Sequence, residues 1–498
     1  MKQIPSTHVT QSITDALQFI SYYHPTDFVQ ALTSAWTRET GPAAKNALLQ
    51  LLVNSKMSAT GHRPVCQDTG VAHVFFRMGM DVRIIAPDGQ PTPTLQAMAN
   101  EGTRQAYTLP TNPLRASMVT DPLGQRLNTH DNSPAIVHIE LVEGDVFELT
   151  VVAKGGGGDV KARYGMLNAR DNVADWVVDQ LPGMGAGWCP PGVLGIGVGG
   201  SPEQAMVMAK RSLFAPINIQ DLQNKENPDP VEKLRLEVFE RVNALGIGAQ
   251  GLGGLQTVLD VKVLTAPCHA ALQPVALIPN CAATRFITFE LDGSAPAEFD
   301  PPALDIWSDI PDTLPTGDGS RVDLDHLSKE QVAQWKVGDR LLLSGTLLTG
   351  RDAAHHRMHQ MLERGEPLPV DLRGKALFYV GPVDPIEGEA VGPAGPTTSA
   401  RMDKFMPRLL EETGLLLTVG KAERGPVAID AIRKHGTPYL VTVGGAAFLV
   451  AKAIKQARVI AFEDLGMEAI YEFKVKDMPV TVGIDARGQT IYRMAKAE

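Results

Sequence analysis

The chain has 498 residues, 44% hydrophobic and 20% charged, with a formal net charge of −10. That apolar share excludes a disordered chain, and the acidic excess argues against nucleic acid as a partner, since nucleic-acid domains carry a basic one. The start, MKQIPSTHVTQSITDALQF, lacks the apolar core of a secretion signal and no stretch reaches the roughly 18 apolar residues of a membrane span, so the expectation is a cytoplasmic enzyme with no membrane partner.

In chain order, apolar positions three and four apart in ITDALQFISYYHPTDFVQALTSAWTRE and PAAKNALLQLLVNSKM predict helices at the start. AIVHIELV and VFELTVVAK, separated by Glu143, Gly144 and Asp145, predict a β-hairpin whose second strand delivers KGGGGD. Next, GWCPPGVLGIGVGG sets Gly195, Gly197 and Gly200 in a GxGxxG spacing. A dinucleotide site, in a nicotinamide-dependent oxidoreductase, needs a buried strand leading into those glycines, and Pro190 and Pro191 stand where it belongs. The run is therefore read as a glycine loop that carries Cys189. It leads to a helix with Ser201 as N-cap, Pro202 first and Gln204 completing a capping box, whose N-terminus would favour negative charge nearby.

Between 286 and 333 the chain turns rich in Pro, Asp, Gly and Ser, which predicts a long connector. After it, LLLSGTLLTG, ALFYVGP, LLLTVGK, YLVTVGG and ARVIAFEDL predict short strands, several ending in glycine, with helices such as AAFLVAKAIKQ between them. The fold class is α/β: a mixed α+β N-terminal domain over 1–285, a connector over 286–333, and a smaller α/β C-terminal domain over 334–498 that completes the site.

Four cysteines, Cys66, Cys189, Cys268 and Cys281, are too few and too scattered for a disulfide framework. Cys66 and Cys281 follow a proline within two residues, which suits loops. All lie too far apart in sequence for a zinc knuckle or a ferredoxin run, so any metal they share must be assembled by the fold. Spacing alone favours buried, unreactive thiols over metal ligands.

PVCQDTG, KGGGG, GWCPPGVLGIGVGG, NCAATR, TGRDAAH and GPTTSARMD occur in that order along most of the chain. In these motifs the sequence resembles the class I, iron-sulfur fumarate hydratases and the related tartrate dehydratases. The resemblance implies a [4Fe-4S] cluster held by Cys66, Cys189 and Cys281, one iron being left open to substrate as a Lewis acid. It implies a homodimer acting on a small dicarboxylate, and leaves Cys268 as a core thiol. Gln67, Arg115, Gly157, Arg351, Arg401 and Lys421 match its substrate-binding positions, and Thr397, Asp68 and His269 those that move protons. The chemistry agrees: guanidinium forks suit carboxylates, and removing a proton beside a carboxylate builds charge that fixed cations stabilise. The implied reaction is reversible hydration of fumarate to (S)-malate, with tartrate and mesaconate as alternative substrates. A non-catalytic iron-sulfur sensor would have no use for the arginines. Where the family carries a serine followed by small or amide residues, this chain has Gly158 and Asp159, and local substrate contacts are expected to differ there.

Overall fold

Three helices open the chain where the apolar period is 3.6, Ser6–Tyr22, Thr26–Arg38 and Pro42–Gly61, behind a short strand Lys2–Pro5. The computed structural model describes residues 1–492 apart from 316 and 318. The first of its two four-stranded sheets has the order Phe286–Glu290, Phe147–Lys154, Val71–Gly79, Ile136–Val142. The expected hairpin is therefore absent: Val71–Gly79 lies between its two arms, antiparallel to one and parallel to the other. The reason is local. The turn at 143–146 wraps the end of the intervening strand, with Gly79 N–H bonded to Val146 O at 2.7 Å and Asp81 N–H to Gly144 O at 2.9 Å.

The second sheet has the order Arg163–Leu167, Gln273–Asn280, Gly192–Gly199, Val258–Ala266. Here a second expectation is corrected. Gly192–Gly199 is a buried strand, not a loop, because its glycines let helix Pro202–Ser212 lie directly on it. A Cβ at Gly195 or Gly197 would overlap the carbonyl of Ala209 or Ala205 in that helix. Backbone groups spent on a ladder and covered by a helix cannot cradle a dinucleotide. Ser201 is the N-cap and Pro202 leads the helix, but the capping box does not form; the Ser201 hydroxyl donates to Glu203 at 2.6 Å instead. That helix start lies at the far end of the strand from Cys189, roughly 20 Å away at 3.3 Å per residue, so its dipole does not serve the cysteine.

The third sheet runs Ser320–Asp323, Arg340–Thr349, Ala376–Phe378, Leu417–Gly420, Tyr439–Val441, Ile470–Ile484, Ile454–Ala461. The 15-residue strand Ile470–Ile484 also pairs with Arg340–Thr349, which closes five strands into a ring. Arg340–Thr349, Ala376–Phe378, Leu417–Gly420 and Tyr439–Val441 are mutually parallel, joined by helices Asp352–Glu363, Met406–Thr413 and Pro426–His435. Their carboxyl ends therefore point the same way and deliver four loops to one rim. One buried cluster joins the opening helices, through Leu48, Leu51 and Leu52, to Tyr439 and Val441 of this ring and to Leu449 of helix Ala447–Ala453. The fold is mixed α/β, with its N-terminal helices packed against the C-terminal ring.

Candidate functional site

The paired strands Gly192–Gly199 and Gln273–Asn280 bring two cysteines to one end of the second sheet. Val193 is opposite Asn280, Cys189 precedes the first strand, Cys281 follows the second, and Ala282 N–H donates to Cys189 O at 3.0 Å. A Cβ at Gly192 would overlap Asn280 O, so only glycine permits this approach. Cys66 arrives from the loop after helix Pro42–Gly61 and packs with Val65, Ala283 and Cys281. Cys66 and Cys189 are buried and Cys281 is half-buried.

Cys268 does not join them, and it is not a core thiol: it is exposed, on the turn after Val258–Ala266. Ala266 pairs with Gly199, so this turn sits at the opposite end of the sheet from Cys189. His269 shares the exposed turn, its Nδ1 accepting from Ala271 N–H at 3.2 Å, and within one chain it stays outside the site.

Cations and hydrogen-bond donors surround the three thiols. Lys421, from the loop after Leu417–Gly420, donates through Nζ to Cys189 Sγ at 2.9 Å. Burial pulls its ammonium down, but the facing thiols of Cys189 and Cys66 outweigh that and raise its pKa. Burial pushes the Cys66 thiol up to about 11 against the pull of Arg285, and raises that of Cys189 despite Lys421. Gly157 abuts this centre, a Cβ there lying 3.9 Å from Lys421 Nζ. Gly444 passes so close that a Cβ would overlap Cys189 Sγ.

Asp68 accepts from Gly156 N–H at 2.9 Å and Gly70 N–H at 3.1 Å. Burial would raise its pKa; Arg115, Arg285 and the Gly156 bond overcome that and hold it below the usual carboxylate range. Gln67 donates to Pro396 O at 3.1 Å and accepts from Cys66 at 3.3 Å. It thereby reaches the segment of Thr397, which is buried and donates its N–H to Tyr379 O at 2.7 Å. The neighbouring Thr398 forms a β-bridge with Lys421.

Arg115 donates to Gly381 O at 2.8 Å, and Arg351 lies against the same glycine, pairing with Glu468 at 2.8 Å. Burial first, then the neighbouring Arg351 charge, lowers the Arg115 pKa to about 10. Arg401 is half-exposed and pairs with Asp352 at 3.0 Å, beside Arg351. Sequence reasoning missed Arg285, 2% exposed, which donates to Asp68 O at 2.6 Å. Its signal was its place in NCAATR, four residues after Cys281.

Among the described residues no three His, Cys, Asp or Glu side chains converge on a single metal ion. A polynuclear cluster asks for something else: thiols from separate loops, spaced around a larger body, beside cations that offset its charge. Cys66, Cys189 and Cys281, with Lys421 and Arg285 next to them, form a donor set of that chemistry.

Two family models cover the chain: "Fumarate hydratase (Fumerase)" matches residues 10–290 and "Fumarase C-terminus" residues 293–495. Fumarate hydratase 2 of Leishmania major is 32% identical over 467 residues, covering 89% of this chain and 78% of that protein. The aerobic class I fumarate hydratase of Escherichia coli strain K12 is 30% identical over 475 residues, covering 90% and 83%. That of Salmonella typhimurium is 29% identical over 474 residues, covering 91% and 79%. With the two family models together spanning nearly all of the chain and these relatives matching about nine-tenths of it, the protein belongs to the class I fumarate hydratase family and is a carbon–oxygen hydro-lyase.

Proposed function

We propose that the protein catalyses the reversible hydration of fumarate to (S)-malate, with a [4Fe-4S] cluster held by Cys66, Cys189 and Cys281. The observation that carries this reading is the meeting of three thiol loops with Lys421, Asp68 and Arg115 at one end of the second sheet. When bound, a cluster with three thiolate ligands supplies a Lewis-acid iron that eases departure of the hydroxyl.

The remaining work falls to this chain's own residues. Arg115, Arg351 and Arg401 grip a substrate carboxylate and stabilise the charge that builds on it as the adjacent C–H loses its proton. Asp68, ionised between Arg115 and Arg285, is free of a proton it could give and holds the Gly155–Gly157 turn through the Gly156 N–H. Gln67 and Gly157 line the substrate's other side. Thr397 is the base, its hydroxyl activated by neighbouring charge, and Lys421 offsets negative charge at Cys189. His269 lies too far away to act within its own chain, so its part in proton transfer requires a second copy, in a homodimer.

The test is an anaerobic comparison of kcat/KM for fumarate, (S)-malate, mesaconate and both tartrate enantiomers on cluster-reconstituted protein. Fumarate and malate are expected to lead. Tartrate or mesaconate leading by a wide margin would keep the reaction type and change the substrate, and no turnover by protein with its cluster intact would end the proposal.

A further inference from the structure

A partly buried ion cluster, with Lys154 at its buried end, sits beneath the glycine turn, and the hydration chemistry does not use it. Lys154, the last residue of its strand, is 1% exposed; its Nζ donates to Pro279 O at 2.9 Å and stands 3.5 Å from one Asp159 carboxylate oxygen. Lys210, from helix Pro202–Ser212, donates to the other at 2.8 Å. Asp159 thus closes the turn back onto the residue that starts it. Gly158 has no alternative here: a Cβ would overlap Lys154 Nζ and press on Pro279 O. The serine expected at this position therefore cannot coexist with the lysine's path.

The upper face of the same turn meets the site. Gly156 N–H donates to Asp68, and Gly157 lies beside Lys421 Nζ and Gly187 O. Pro279, held from below, belongs to the strand that ends just before Cys281. Two cations converge on one carboxylate, so removing its charge leaves two ammonium groups facing each other, one of them buried with only a carbonyl for a partner.

We propose that Asp159 is a positioning residue: with Lys154 and Lys210 it holds the 155–158 turn where Gly156 meets Asp68 and Gly157 meets substrate, and so sets how tightly the dicarboxylate binds. The identity of that ligand rests on the hydration reading above; the holding of the turn does not. Because the turn touches substrate without moving a proton, its loss weakens ground state and transition state alike, which appears in KM and not in kcat.

Asp159→Asn, which removes the charge at constant size, is compared with Asp159→Glu, which keeps it. Two readouts are taken: anaerobic steady-state kinetics on reconstituted enzyme, and amide hydrogen exchange of the full chain. In the Asn variant KM is expected to rise about tenfold with kcat within about twofold of wild type. Exchange over residues 156–160 is expected to quicken about tenfold while Val258–Ala266 keeps its rates. The Glu variant returns both toward wild type. The proposal is overturned if the Asn variant keeps wild-type KM and exchange, or if exchange quickens throughout the chain with kcat falling in step, which marks a merely structural residue. Should the wild type turn over no dicarboxylate, the hydration reading fails by itself, and the exchange comparison still decides whether Asp159 holds the turn.

Discussion

Cys189 has φ +59°, in the left-handed region that a non-glycine residue enters only when its surroundings hold it there. Its backbone bonds to Ala186 O and from Ala282 N–H, and its thiol to Lys421, do the holding. Cys189→Ser keeps the shape and removes the thiolate, so anaerobically prepared protein is expected to lose most of its iron and sulfide, whereas Cys268→Ser, on the remote exposed turn, keeps them. Metal and sulfide assays decide; equal content in both variants would remove Cys189 from the ligand set. For Arg401, which meets Asp352 through one guanidinium nitrogen at 3.0 Å, Arg401→Lys keeps charge and loses the fork, and kcat/KM is expected to fall about tenfold for each 1.4 kcal/mol of lost transition-state binding. His355 shows the opposite use of a titratable group. It is buried, edge-on to Tyr379 at 5.2 Å, and burial lowers its pKa to about 4. The folded protein therefore resists a proton that the unfolded chain accepts below about pH 6.5, so this contribution to stability is complete above 6.5 and is lost at about 1.4 kcal/mol per unit toward pH 4. Thermal midpoints between pH 7.5 and 5 should fall less steeply in His355→Gln than in wild type; equal slopes would refute it.

At the scale of elements, the glycine run shows how one pattern serves two readings. GxG alternation in a strand puts both glycines on one face, and here that face receives a helix backbone. Gly197→Ala is expected to cost about 1–3 kcal/mol, since either helix or strand must move. Gly183→Ala, near the end of helix Val173–Met184 with no atom near its would-be Cβ, should change stability by less than about 1 kcal/mol, and in the stabilising direction. Urea denaturation compares them, and a smaller loss at 197 than at 183 would contradict the packing. The proline pair suggested that no strand led into the glycines. The prolines sit outside the ladder, and the strand begins at Gly192. The hairpin expectation fails for a related reason: alternation identifies strands, but not which strand comes between them.

At the scale of the whole molecule, the N-terminal helices and the C-terminal ring are held in register beside the site. Arg63, three residues before Cys66 and 1% exposed, binds both oxygens of Glu389 at 2.9 Å, Asp384 O at 3.0 Å and Asn112 at 2.7 Å. Glu389 lies on the segment between Ala376–Phe378 and Thr397, so this pair ties the Cys66 loop to the loop of the candidate base. Glu389→Ala leaves a buried guanidinium without its counter-charge and is expected to cost about 3–5 kcal/mol, more than Arg63→Met with Glu389→Met together, which removes both charges. Thermal midpoints of the two variants check this; a double variant that falls further than the single would overturn it.

By itself the sequence determined the opening helices and the short C-terminal strands, and it held the motifs from which the candidate site is proposed, because periodicity, turn chemistry and motif order are local properties of the chain. PVCQDTG, NCAATR and TGRDAAH could be read without knowing what stood beside them. Strand order, the closing of the ring by Ile470–Ile484, the exposure of Cys268 and the distance of His269 were decided only by tertiary structure, since each depends on which elements become neighbours. So were the partners of single charges. Nothing near Asp159 in sequence announces that Lys210 will meet it, and nothing near Arg63 announces Glu389, because a buried charge is satisfied by whatever the packed fold brings within reach.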